Sequence, residues 1–206
     1  MTFRFLIPLL ALSLSACVAV KPSTPAQPSP TPPSESTANG TTKFQAEQAA
    51  RQFVKVVQTV EPVAERLCRE QAKAANCDFQ IVVDDRANQP PNAFQTLDKS
   101  GRPVVAFTLA LIAEARNEDE LAFVMGHETA HHIAGHIARQ QQNAATGAVI
   151  FAGLAALTGA DASGLESAQR LGAAVGARTY SKDFELEADA LGTVISKRAG
   201  YDPVRG

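Results

Sequence analysis

The sequence has no tryptophan and only two tyrosines, and aromatic residues make up 6% of it. So few flat side chains argue against a surface on which bases would stack. Positive charge is not in excess either: 19 lysines and arginines are set against 21 acidic residues, for a formal net charge of −2. A chain so balanced offers no basic face for phosphates, and nucleic acid is not expected as a partner. Cysteine is sparse at three and histidine at four. The 206 residues, 45% of them hydrophobic, suffice for one catalytic domain and not for two.

The first residues read as a targeting segment and stand apart from the fold. Arg4 supplies a positive start, Phe5 to Leu14 a short apolar run, and Leu14-Ser15-Ala16-Cys17 follows. That tetrad resembles the bacterial lipobox, which implies a signal peptide over 1–16, cleavage before Cys17 and acylation of its thiol and new amino group. With Val18 next, the pattern resembles lipoproteins sorted to the outer membrane, facing the periplasm. The alternative is an ordinary secretory signal that contains a cysteine; the run is too short for a spanning anchor. Several acyl chains on one residue give stable membrane anchoring. Residues 17–42 hold half of the prolines, among Ser, Thr and Gln, and read as a disordered, extended tether. Export leaves Cys68 and Cys77 in an oxidising compartment, where they read as a local disulfide, with two unrelated thiols as the alternative.

The folded domain is expected over 43–206. Phe53, Val56, Val57, Val60, Ala64 and Leu67 recur at helical spacing. Pro62 interrupts them and predicts a kink or two abutting helices near Glu61. Phe79 to Val83 reads as a strand ended by Asp84-Asp85. A stretch over about 92–96, the turn Lys99-Ser100-Gly101 and Pro103 to Phe107 together predict a β-hairpin. Asn117 is a good N-cap with Glu120 at the capping-box position, and the helix it opens is expected to run to about Arg139. A last helix is expected over about Lys182 to Arg198, with Gly200 as its C-cap.

All four histidines fall between positions 127 and 136. Within that window stands His127-Glu128-Thr129-Ala130-His131, the H-E-x-x-H pattern of zinc peptidases. Residues four apart lie about 40° apart around a helix and one turn along it, so both imidazoles reach one ion. Glu128, about 100° further round, is left to take a proton from the hydrolytic water. Downstream, Glu185 and Asp189 share a face of the last helix. Glu185 supplies the third ligand, and Asp189 orients a ligating histidine from behind. Glu187 points away and reads as surface. His136 is nine residues from His127, on the far side of a continuous helix, and reads as packing or hydrogen bonding. His132 reads as solvated.

Asn92-Ala93-Phe94, His127-Glu128-x-x-His131, His136, Tyr180-Ser181-Lys182, Glu185-x-x-Ala188-Asp189 and Gly200-Tyr201-Asp202-Pro203 together resemble the HtpX-like and CAAX-prenyl-protease-like zinc metallopeptidases, of gluzincin type, and especially their periplasmic lipoprotein branch. The resemblance covers about residues 45–206. It implies an α+β, mainly helical, compact zincin domain with an active-site helix, a small sheet and a C-terminal ligand helix. It implies one Zn2+ per chain on His127, His131 and Glu185, with Glu128 as base and Asp189 in support. Asn92, Ala93 and Phe94 resemble the edge strand on which the family lays an extended substrate. Lys182 departs from the arginine common there, and Lys lacks the planar, bidentate contacts of Arg. Relatives also continue past Gly-Tyr-Asp-Pro with a candidate oxyanion group; in this sequence Tyr180 is the candidate donor.

The implied activity is that of a zinc metalloendopeptidase acting on unfolded or misassembled envelope proteins. A zinc-stabilised periplasmic chaperone or adaptor with little turnover is the alternative. The sequence sets no oligomeric state. Residues 144–160 are small and apolar; a helix covering the active-site cleft, a membrane-touching hairpin and a membrane span are the three readings open for them.

Overall fold

The computed structural model describes residues 35–206 apart from Tyr180, with side chains from Thr42 onward. The signal segment, the start of the tether, Cys17 and Tyr180 therefore lie outside the described residues. Six helices and three strands follow in order: α1 (Glu35–Gln71), β1 (Gln80–Asp84), β2 (Ala93–Leu97), β3 (Pro103–Thr108), α2 (Leu109–Glu114), α3 (Glu118–Ile133), α4 (His136–Leu157), α5 (Ala162–Arg178) and α6 (Ser181–Arg198). This is a mainly helical α+β domain with one small sheet.

Helix α1 runs unbroken through Pro62, where the sequence suggested a kink or a break. A proline there costs one backbone hydrogen bond. The helix outlasts that loss because its inward face is anchored: Phe53, Val56, Val60, Ala64 and Leu67 are all buried. Each such side chain contributes about 1.5–3 kcal/mol when removed from water. Helix α1 also begins at Glu35, inside the expected tether and ahead of the domain start expected at residue 43.

Beyond α1 the chain turns through Cys77, which a disulfide ties back to Cys68. It then enters a sheet of order β1-β3-β2. Strand β3 is central, parallel to β1 and antiparallel to β2. Its Val105 and Phe107 are fully buried, and Phe107 packs edge-on against Phe53 of α1. Strand β2 is thereby left with one free edge. Its entry is fixed by Thr108, whose hydroxyl accepts from the N–H groups of Asn92 and Leu111 and donates to the Pro90 carbonyl.

Helix α3 opens as the sequence requires. Asn117 Oδ1 accepts from the Glu120 N–H, and Glu120 reaches back to the Arg116 N–H. Its apolar face, Leu121 and Met125, enters the core. The helix does not reach Arg139, however. It ends at Ile133, and Gly135 adopts a left-handed φ of 69° before α4 starts at His136. A glycine takes that conformation without a Cβ penalty, so Gly135 supplies a sharp corner where a continuous helix was expected. At the other end, Gly200 (φ 90°) closes α6, with Gly200 N–H donating to Lys197 and Tyr201 N–H to Ser196, the paired bonds of a Schellman cap.

Helices α4 and α5 form an antiparallel arm. The apolar segment 144–160 lies mostly in α4 and packs on α5 rather than across the cleft: an added Cβ at Gly147 would sit 2.1 Å from the Gly172 carbonyl oxygen. Among the described residues no helix is long and apolar enough to cross a membrane, which removes the spanning reading of this segment.

Candidate metal centre

Helix α3 carries His127, Glu128 and His131, and α6 carries Glu185 and Asp189. What brings the two helices together is a glycine crossing one residue before the first histidine. A Cβ on Gly126 would lie 2.8 Å from the Gly192 carbonyl oxygen, and one on Gly192 would lie 2.8 Å from the His127 nitrogen. Only with both side chains missing can the backbones approach this closely. Ser196 reinforces the contact, its hydroxyl donating to a carbonyl on each helix, Ala122 and Gly192.

The approach makes three ligand atoms converge. His127 Nε2 and His131 Nε2 are 3.0 Å apart. Glu185 Oε2 is 3.4 Å from the first and 3.7 Å from the second. Donors held about 2.0–2.1 Å from a tetrahedral zinc stand roughly 3.3 Å from one another. The three separations bracket that value, and two imidazoles with a carboxylate are a donor set suited to such an ion. Among the described residues, this trio is the group of His, Cys, Asp or Glu side chains placed to hold a metal.

Other groups surround the trio. Asp189 Oδ1 lies 2.9 Å from His127 Nδ1, on the side away from the convergence point. Burial, helped by the neighbouring His127, holds the His131 imidazole below its ordinary pKa, so the neutral form is favoured. Burial likewise pushes the Glu128 carboxyl up; Glu185 adds to the rise, while His127 and the Gln95 backbone N–H oppose it.

Glu128, His127, His131 and Glu185 line a cleft of about 330 Å3 together with Ala93, Phe94 and Gln95 of β2. Asn92, the first of the expected edge residues, flanks the strand and is not part of it. Thr108 N–H donates to the Asn92 carbonyl, and Ala93 pairs with Phe107 in register. The alternation of an antiparallel ladder then turns the backbone groups of Ala93 and Gln95 away from β3, along the free edge.

Three histidine-related expectations need correcting. His136 does not face away from the site. The corner at Gly135 swings it back, buried, with Nδ1 2.9 Å from His131 Nδ1, and it lines the cleft. Glu187 is exposed, as expected, yet its reading as a surface group is incomplete: it accepts from Arg139 (2.7 Å) and lies 3.2 Å from His136 Nε2. His132 is not merely solvated. Its Nε2 lies 2.7 Å from the Asn76 carbonyl, and its ring meets Phe79 edge-on. Sequence reasoning also passed over Phe184, which stacks on His136 at 4.5 Å beneath the Arg139 guanidinium. The signal available for all of this was Gly135, a turn-former set inside the histidine cluster.

The family model of peptidase family M48 matches residues 50–205. Among curated proteins, the chain is 36% identical over 110 residues to the beta-barrel assembly-enhancing protease of Escherichia coli O157:H7, covering 46% of this chain and 21% of that protein. It is 33% identical over 114 residues to the mitochondrial metalloendopeptidase OMA1 of Schizosaccharomyces pombe, covering 55% and 32%. With the Saccharomyces cerevisiae protein of the same name it shares 31% over 129 residues, covering 61% and 34%. The matches thus span between a fifth and a third of the length of these relatives. No solved structure matches the chain.

Proposed function

We propose, for a chain that belongs to peptidase family M48, the activity of a zinc-dependent endopeptidase. The observation that carries the reading is the convergence of His127, His131 and Glu185 on one point with Glu128 beside it. His127, His131 and Glu185 would hold a zinc ion, which would supply Lewis-acid chemistry toward the scissile carbonyl and the hydrolytic water. The remaining work belongs to side chains of this chain. Glu128 takes the proton from the attacking water and hands it to the leaving amine. The position of Glu128 in a half-buried cleft, with its affinity for a proton raised, supports this double role. Asp189 fixes the His127 ring.

Substrate is laid along β2. The backbone groups of Ala93 and Gln95 turned away from β3 support the addition of a strand, and the Gln95 backbone N–H against Glu128 supports bringing that strand across the base. Such recognition reads backbone rather than side chains. It suits unfolded or misassembled proteins, whose extended segments are accessible, and it supports an endopeptidase over a prenyl-protein protease. The name of the bacterial relative, a beta-barrel assembly-enhancing protease, supports a place in the cell envelope. We assign the tether and acylated Cys17 to anchoring the domain there, at the outer membrane facing the periplasm. Tyr180 is the candidate donor to the oxyanion.

The test is hydrolysis of casein by the purified domain, with and without a zinc chelator, beside Glu128→Gln. General-base removal is expected to lower turnover about 10²–10⁴-fold with zinc content unchanged. Full hydrolysis by the Gln variant, or by the chelated protein, would refute the peptidase reading. Undiminished biological function without turnover would favour a zinc-stabilised chaperone or adaptor.

A further inference from the structure

Behind the two histidines lie different supports. His127 rests on a carboxylate, Asp189, at 2.9 Å. His131 rests on another imidazole, with its Nδ1 2.9 Å from the Nδ1 of His136. Two ring nitrogens at that distance share a single proton, so one donates and the other accepts. Which one is decided at the far edge of His131. Its Nε2 is turned toward His127 Nε2 and Glu185, and a nitrogen that ligates a metal carries no proton. The neutral ring must then hold its proton on Nδ1 and donate it to His136.

That assignment propagates. Having accepted at Nδ1, a neutral His136 bears its proton on Nε2, and the group 3.2 Å from Nε2 is the Glu187 carboxylate. A carboxylate accepts and so completes the sequence. Glu187 is in turn held by Arg139 at 2.7 Å, and the Arg139 guanidinium lies over Phe184, 4.4 Å from the ring centroid. Phe184 stacks on His136 with the two planes 13° apart, so the imidazole can neither tilt nor flip freely. His136 is 4% exposed, and water is a poor substitute for it as acceptor.

We propose that His136, oriented by Glu187, is a positioning residue that fixes His131 as the Nδ1–H tautomer and aims its Nε2 at the metal. The inference rests on the metal-site reading above but assigns a residue which that reading does not need. His136 is not one of the three converging ligands; its contact with them is through His131. Residues that orient a ligating histidine typically govern metal affinity 10–100-fold.

The experiment is a zinc competition titration against a chromophoric chelator, on the unchanged chain and on His136→Phe and His136→Asn. Phe keeps the ring and its stacking on Phe184 but offers no acceptor. Asn loses much of the packing but places Oδ1 near the position of Nδ1. The expected result is zinc affinity about 10–100-fold weaker for His136→Phe and largely restored for His136→Asn. A purely structural role predicts the reverse order, and that order would overturn the proposal. In parallel, 15N NMR of the zinc-loaded unchanged chain is expected to show His131 protonated at Nδ1 and His136 at Nε2. A proton on His136 Nδ1 would overturn the proposal even if His136→Phe failed to fold. If the unchanged chain bound no zinc, the metal reading itself would fall; if it bound zinc as His136→Phe does, only the role of His136 would.

Discussion

Replacing Gly192 by alanine perturbs the metal site without touching any of its side chains. The new Cβ would stand 2.8 Å from the His127 nitrogen, 3.0 Å from its Cα and 3.1 Å from the Gly126 carbonyl carbon. Ordinary contacts between such atoms need about 3.5–4.0 Å, so α6 must retreat from α3 by something near 0.7 Å. Overpacking of this sort costs about 1–3 kcal/mol, offset by about 1 kcal/mol of improved helix propensity. Stability of the metal-free domain should therefore fall by only about 0–2 kcal/mol. Zinc binding is less forgiving. Ligand distances must hold to within about 0.2 Å, and the retreat moves Glu185 away from both imidazoles together. The measurements are a urea melt of the metal-free protein and a zinc titration of the folded one. Gly153→Ala is the internal control, because nothing lies within 4 Å of its Cβ; there the propensity gain of up to about 1 kcal/mol should appear alone. Gly192→Ala that melts like Gly153→Ala and binds zinc as the unchanged chain does would refute the close-crossing argument.

Two further outcomes follow from local features. The Cys68–Cys77 bridge spans a sequence separation of 9, for which chain-entropy arguments give about 2.7 kcal/mol; Cys77→Ser should lower the unfolding free energy by up to that amount in denaturant melts, and an unchanged midpoint would refute it. The Asp98 carboxyl is held below the usual carboxylate range, chiefly by the Ser100 hydroxyl and then by the Arg102 N–H. Because its folded pKa is the lower one, its support for the β2–β3 turn is complete above the unfolded value and disappears as pH falls through the folded value. Amide exchange at Ser100 and Arg102 should accelerate below about pH 4 and not in Asp98→Asn, where no titration remains.

The convergence of His127, His131 and Glu185 was legible because helical periodicity is local. His127 and His131 declare their shared face by spacing, and Glu185 and Asp189 do the same on α6. Strand and hairpin positions were legible to within a residue, and Gly200 announced the end of α6 through its left-handed conformation. Gly135 carries the same signal, but it sits inside a strongly helical pattern, and the periodicity of the histidines argued for continuity past it. That error had one consequence: it pointed His136 the wrong way and left Glu187 and Arg139 without a purpose. Pro62 failed in the opposite sense, since a breaking residue was overruled by the burial of the helix around it. The glycine crossing at Gly126 and Gly192 could not be read at all. Nothing within either helix tells which distant backbone it will meet.

The arm of α4 and α5 has a bearing on how such a site can diversify. The chain leaves the cleft at Gln140 and re-enters it at Ser181, so the departure and return points border one cleft while what lies between them is an excursion. Past its first turn, α4 holds its partner α5 and little else. Insertions, shortenings or wholesale exchange of the excursion would leave α3 and α6 crossed as before, in the way surface insertions whose ends lie close together are accommodated. The crossed pair of α3 and α6 and the appendage beside it can thus change at different rates, one constrained to fractions of an ångström and the other open to new surfaces.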